Sequence, residues 1–216
     1  MSWNIECIVV GPIQCNCYIL SDSISGKALI VDPGAESEDL LGFLQRKKFD
    51  LGAVLITHAH IDHVGGIEMV HKEFPSPVFY HAGDRVLYEN LKMQAQFFGV
   101  TPGQLGATQP VVGDSSLEDN RVFSFSTGEV RVIHTPGHTP GSVCFHAQGE
   151  LQAVFTGDTL FEGSIGRTDL WGGSYEQILE SIHRKLLTLP ENLKVLPGHG
   201  EPTTVGQEKS HNPFLV

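Results

Sequence analysis

The sequence predicts an α/β protein built as two packed β-sheets with helices on the outer faces. Three observations carry that expectation. Short strand-like apolar runs dominate each half of the chain. Amphipathic segments of helical period flank them. The second half mirrors the first in kind, with no low-complexity tract or long linker between. At 216 residues the chain can bury a sizeable core, and we read residues 1–216 as one domain.

The elements follow in order. IECIVVG (5–11), CNCYILS (15–21) and ALIVDPG (28–34) read as strands. Cys15 and Cys17 share one strand face, as packed, reduced core residues do. With Cys7 and Cys144 they form neither a disulfide framework nor paired zinc knuckles. Segment 37–49 predicts a helix, because Leu40, Leu41 and Leu44 make a stripe, acids open it and Arg46, Lys47 and Lys48 close it. LGAVLIT (51–57) is a continuous apolar run and predicts a buried strand. A helix is expected from Gly65-Gly66 to Phe74, a strand over 77–81, and a helix over 84–98 with Leu87, Leu91 and Phe98 on one side. Residues 99–118 carry no regular pattern.

In the second half, RVFSFS (121–126) and VRVIHT (130–135) alternate around Thr127-Gly128-Glu129 and predict a hairpin. SVCFHA (142–147), LQAVFTG (151–157) and LKVLPG (193–198) are further strands. Residues 174–189 give the clearest helix. Ser174 and Gln177 make a capping-box pattern, Ile178, Ile182 and Leu186 a stripe, and Pro190 a stop.

A net charge of −11 argues against nucleic acid or an anionic membrane surface as the main partner. No apolar run approaches the roughly twenty residues of a membrane span. MSWNIECIVVG lacks a basic leader pattern, so a cytoplasmic protein is expected.

The chemistry concentrates in THAHIDHVGG (57–66), which begins where the buried strand ends. In extended chain His58 and His60 point the same way and can grip one cation; Asp62 and His63 point elsewhere and can hold a second. Further ligands are expected past other strand ends: His138 in HTPGHTPGS, Asp158 in FTGDT and His199 in LPGHG. Five histidines and two aspartates suit a borderline divalent metal: zinc first, with iron or manganese as alternatives. Asp158 is the natural bridge, since one carboxylate offers an oxygen to each of two cations. His71, His81, His146, His183 and His211 lack motif partners and read as surface or packing residues; His134 reads as structural.

VDPG (31–34), THAHIDHVGG, TPGHTPGS, TGDT and PGHG, in that order, resemble the metallo-β-lactamase superfamily. That resemblance implies an αββα four-layer sandwich with the metals at the sheet edges. It implies one metal on His58, His60 and His138 and another on Asp62, His63 and His199, with Asp158 bridging. Asp62 and Asp158 would be the catalytic acids, and Asp32 would orient the motif by hydrogen bonds. GDTLFEGSIGRTDL (157–170) is similar to the glyoxalase II group, in which a basic residue after the bridging aspartate contacts the carboxylate of glutathione; Arg167 matches it. The activity implied is hydrolysis of S-(2-hydroxyacyl)glutathione. The tyrosines of the two-domain enzymes are replaced here by Asp169 and Glu201, which points to the smaller bacterial type. The Asp62–His63 pair sets the chain apart from the class B β-lactamases in this reading. The rivals are a mononuclear iron persulfide dioxygenase, which shares the ligand motifs, and a lactonase or other acyl hydrolase.

Overall fold

The computed structural model describes residues 3–100, 105–106, 110, 117–126 and 128–216. β1 (Trp3–Val10) and β2 (Cys15–Asp22) pair antiparallel, and β3 (Lys27–Val31) continues on β2. α1 (Glu38–Lys47) starts where the Ser37 hydroxyl accepts from Leu40 N, and β4 (Asp50–Leu55) returns parallel to β3. After α2 (Ile61–Val64) and α3 (Ile67–Glu73), β5 (Val78–Phe79) joins β4 in parallel. A 3-10 turn (Ala82–Asp84), α4 (Arg85–Glu89) and α5 (Leu91–Phe97) close this half.

The second sheet takes β6 (Val122–Ser124), β7 (Gly128–His134), β8 (Val143–Gly149) and β9 (Ala153–Gly157), all antiparallel neighbours. A small hairpin follows, β10 (Leu160–Phe161) with β11 (Ser164–Ile165), then α6 (Tyr175–Ser181), which runs on as a π turn to Leu186. β12 (Lys194–Pro197) pairs parallel to β9, and β13 (Thr203–Thr204) leads into α7 (Val205–His211). The sheet orders are β1-β2-β3-β4-β5 and β13-β12-β9-β8-β7-β6.

Strand alternation sorts the side chains into layers. On β2, Tyr18 and Leu20 face the other sheet, where they meet Val132, Phe145 and Phe155. Ile19, one residue away, faces outward with Ile30 and Val54 onto Leu40, Leu44, Val70 and Leu91 of the helices. On the far side Val154 and Val195 pack against Ile178, Ile182, Leu186 and Val205. Each fully buried Leu or Ile contributes about 1.5–3 kcal/mol. The predicted stripe of α6 is therefore real, and Ser174 caps it by accepting from Gln177 N.

Three elements differ from expectation. The helix expected over 84–98 breaks at exposed Asn90, whose side chain donates to Val86 O. Helical structure begins at Ile61, not at Gly65, so Asp62 and His63 sit on a helical turn. Gly128 and Glu129 open β7 instead of forming the turn, and Thr127 lies outside the described residues. Much of the irregular stretch 99–118 lies outside them as well.

Strand direction sets the position of the motifs. β3 and β4 run together, and β7, β9 and β12 share one direction through β8 and the β9–β12 parallel pair. Within each sheet, the carboxyl ends of these strands emerge on one side. Two backbone hydrogen bonds between described residues join the sheets there: Val143 N to Thr57 O (2.8 Å) and Asn16 N to Gly198 O (2.7 Å).

Candidate metal centre

Every motif residue chosen from the sequence for metal binding lies at this edge. His58 Nε2, His60 Nδ1 and His138 Nε2 converge, with separations of 3.1, 2.9 and 3.2 Å. Beside them, Asp62 Oδ2, His63 Nε2 and His199 Nε2 form a second group, separated by 3.8, 3.3 and 3.2 Å. Asp158 stands between. Its Oδ1 lies 3.4 Å from His63 Nε2 and 3.7 Å from His199 Nε2, while its Oδ2 lies 3.6 Å from His138 Nε2.

The donors fit cations and little else. Two ligands at about 2.0–2.1 Å from a tetrahedral zinc are roughly 3.3 Å apart, close to the spacings seen. Hydrogen bonds cannot satisfy three ring nitrogens that all point at one centre. Asp158 Oδ1 and His60 Nε2 are buried without a hydrogen-bond partner among the described residues. A buried carboxylate oxygen left unpaired is costly unless a cation faces it.

The outer nitrogens explain the orientation of the inner ones. His138 Nδ1 donates to the Arg167 carbonyl (2.7 Å) and His199 Nδ1 to the Gln14 carbonyl (3.1 Å). A carbonyl only accepts, so each ring in its neutral form presents an Nε2 lone pair to the centre. His63 Nδ1 donates to Asp32 Oδ2 at 2.9 Å. Thr57 Oγ1 gives its own hydrogen to Asp32 and accepts from His58 Nδ1 at 3.1 Å. His60 is the exception, turned so that Nδ1 faces inward. Asp32, expected to orient the motif, holds Thr57 N as well, from a left-handed backbone at φ 52°.

Close packing explains the glycines. A Cβ on Gly65 would lie 1.9 Å from Leu105 O, and one on Gly66 the same distance from Pro33 O. α2 can sit this tightly under the Asp32 loop only without those side chains.

Four further residues escaped the sequence reading. Buried Asp84 accepts from Ala59 N (2.9 Å), Thr139 Oγ1 (2.8 Å) and Gly141 N (2.6 Å), clamping the His58–His60 loop to the His138 turn. Gln94 accepts from Ile61 N and donates to Ala59 O and Leu87 O. Asn16 and Tyr18 donate to Pro197 O, at 3.0 and 2.8 Å, and Asn16 also holds Gly200 O, fixing the turn that carries His199. Two signals were available. Asp84 follows a short strand in a small-residue turn, as Asp158 does, and Gln94 is polar on the Leu87–Leu91–Phe98 face.

Burial and charge divide the two groups. Burial first, then neighbouring His138, drives His60 down to about 3; burial and the other histidines hold His58 well below the usual imidazole range. Burial opposes a proton on His63 too, yet the groups facing it, Cys15, Asp158, Asp62 and Asp32, hold it well above that range. The Cys15 thiol is itself pushed up to about 12 and is uncharged at neutral pH, so the carboxylates do this. His199 is raised against burial by Asp62 and Asp158.

The centre opens into a cavity of about 450 Å³ whose other lining residues are Ile13, Phe98, Leu170 and Arg167. Arg167 lines the cavity, and its guanidinium is held bidentately by exposed Asp169 at 2.8 and 2.9 Å. Its backbone carbonyl is the part that touches the centre. His134, read as structural, stacks on His81 at 4.0 Å between ring centroids. His146 is mostly buried in β8. Cys15, Cys17 and Cys144 are buried free thiols, while Cys7 is exposed. No helix among the described residues is long and apolar enough to cross a membrane.

Two sheets flanked by helices, with paired nitrogen and carboxylate groups at their shared edge, define a metal-dependent hydrolase type of fold and site. The chain matches over residues 10–199, and it belongs to the metallo-β-lactamase superfamily. It is 38% identical over 213 residues to the Haemophilus influenzae hydroxyacylglutathione hydrolase GloC, covering 98% of each chain. A structure of BLEG-1, described as a B3 metallo-β-lactamase, superposes with a TM-score of 0.84 at 39% identity, over 99% of this chain and 100% of that one. TTHA1623 in a di-iron-bound form gives 0.86 at 37% identity, over 97% and 100%. The di-iron neighbour leaves the metal's identity open.

Proposed function

We propose that the protein is a dinuclear metal-dependent thioester hydrolase acting on S-(2-hydroxyacyl)glutathione such as S-lactoylglutathione. The observation that carries this reading is the placing of Asp158, with one oxygen toward each three-donor group. The mononuclear oxygenase shares these ligand motifs, so the assay below, and not the donor set, separates it from the hydrolase. When bound, two divalent cations supply a hydroxide nucleophile from water near neutral pH and polarise a carbonyl oxygen.

The chain's own residues do the rest. Asp158 and Asp62 contribute negative charge that holds both cations in one site. The hydrogen bonds from His138, His199 and His63 to Arg167 O, Gln14 O and Asp32 fix the rings, so the site is set before substrate arrives. Ile13, Phe98 and Leu170 keep water from much of the cavity wall. A thiol with a pKa near 8.5–9 leaves without a general acid, which suits a site offering none beyond its metal ligands. Among the described residues Arg167 is the one Lys or Arg on the wall, and a glutathione carboxylate would compete with Asp169 for its fork. The GloC relative supports glutathione as the thiol. Zinc is the first choice of metal, with iron or manganese as alternatives. We place the reaction in the cytoplasm, on a free small molecule and not on nucleic acid or membrane.

The test is thiol release from S-lactoylglutathione by metal-quantified protein under anaerobic conditions. Rapid release with about two metals per chain is expected. Oxygen uptake with glutathione persulfide by iron-loaded protein, turnover of a β-lactam, or turnover of a lactone, without thiol release, would each replace the thioester reading.

A further inference from the structure

The mouth of the cavity carries an aromatic wall that a charged thiol such as glutathione does not need. Phe98 lines the cavity and lies 5.9 Å, between ring centroids, from Trp171. Phe97 lies 4.8 Å from Trp171 and 5.3 Å from Phe98, so the three rings form one cluster. Trp171 also reaches the centre itself, its ring 6.3 Å from that of His60. Phe98 and Trp171 are half-buried, packed against the helix-side core, and the outer edge of the cluster is open. Phe97 is 61% exposed, and Met93, one helical turn earlier on α5, is 45% exposed. Across the same cavity Ile13 is 39% exposed, and Leu170 completes the lining.

Exposed large apolar side chains gathered at one opening mark a surface made to be covered. Its continuity with the metal centre fixes what covers it, because anything seated on Phe98 and Trp171 is also beside His60. We infer that this wall receives an apolar acyl chain of the substrate. The inference rests on the thioester reading. A thioester places two arms about its carbonyl. Glutathione is polar and charged, and the cavity's single cation lies on the Arg167 side. Rings reward only the other arm, the acyl group, by removing its methylenes from water. The preferred substrates are thus acyl thioesters with hydrocarbon chains longer than the three carbons of lactate.

The experiment is a homologous series of N-acetylcysteamine thioesters, from acetyl to octanoyl, assayed for thiol release with the metal-loaded protein. A fully buried methylene would raise kcat/KM about three- to fourfold. We expect at least a tenfold rise between acetyl and hexanoyl. Phe98→Ala and Trp171→Ala should each lower the hexanoyl-to-acetyl ratio at least threefold, and Trp171→Phe should restore part of it. A misfolded fraction would lower both rates equally and leave the ratio alone. Release that is flat or falls with chain length overturns the inference and keeps the thioester reading. If no thioester is cleaved, that reading fails, and calorimetric binding of non-hydrolysable S-(2-oxoalkyl) thioethers then decides. Affinity rising with chain length supports the apolar wall, and affinity independent of it overturns the wall as well.

Discussion

The two donor groups lie against the same aspartate yet present opposite environments to a cation. His58, His60 and His138 are almost wholly buried and form an all-nitrogen set in which burial keeps His58 and His60 uncharged. The other group mixes one carboxylate with two histidines, and its His199 side chain is 23% exposed. Here carboxylates favour protons on His63 and His199. In one pocket burial disfavours a charged His58 or His60. The other holds protons that a cation must displace. Sequence spacing hides this difference, since both groups draw on the same ten residues. What decides it is whether a side chain leaves the loop before α2, as His58 and His60 do, or α2 itself, as Asp62 and His63 do, and how many acids face it.

The largest expected effect comes from removing the element common to both. Asp158→Ala should lower thioester turnover at least a thousandfold, because neither group keeps its shared oxygen, an order-of-magnitude figure for lost metal-site electrostatics. Turnover within tenfold of wild type would show that the groups work independently. Next, the groups can be separated. His60→Ala should leave about one metal per chain on the mixed group, and His199→Ala one on the histidine group, read by elemental analysis after dialysis. Loss of both metals from either variant would mean a single cooperative site.

Asp84→Asn tests how the histidine group is held. It removes a charge that accepts three hydrogen bonds and, being buried, should weaken that group's metal affinity about 10- to 100-fold. The mixed group should keep its affinity. Equal weakening of both would make Asp84 a general stabiliser. The smallest effect is expected at the rim. Arg167→Ala should raise KM for S-lactoylglutathione a few-fold with kcat nearly unchanged, the signature of lost ground-state binding. Its exposed pair with Asp169 is worth about 0–1 kcal/mol, so the fold should hardly notice. An unchanged KM would remove Arg167 from the substrate site.

These two groups also show how far the sequence reaches. The strands were legible because their apolar runs are continuous or alternate, and burial of LGAVLIT and LKVLPG follows from composition. The ligands were legible because short-range spacing and Gly-containing turns past strand ends identify them without tertiary information. The helices around 61–98 were less so. Asn90 breaks a regular stripe by donating to its own helix at Val86 O, a choice no periodicity records. Asp84 and Gln94 act on backbone groups far along the chain, which a linear motif cannot display. The ring tautomers were hidden for the same reason, since they depend on Arg167 O, Gln14 O and Asp32.

The difference in proton affinity gives the most direct measurement. A histidine with a raised folded value holds its proton from low pH up through that value, which here exceeds the ordinary 6.5. Pairing of that proton stabilises the metal-free fold below 6.5 and is lost as pH rises through the folded value. A cation needs the same nitrogen bare, so acid weakens it. His58 and His60 lie below 6.5 and are already bare at neutral pH. We would titrate chelator-stripped protein with zinc by calorimetry at pH 8.0, 7.0 and 6.0, three settings spanning about 6.5. Two groups sharing Asp158 predict two equivalents at the highest pH. One of them should weaken steeply and release protons as the pH falls, and His199→Ala should abolish that one alone. A single equivalent at every pH, or two that weaken together, would contradict the division of the site.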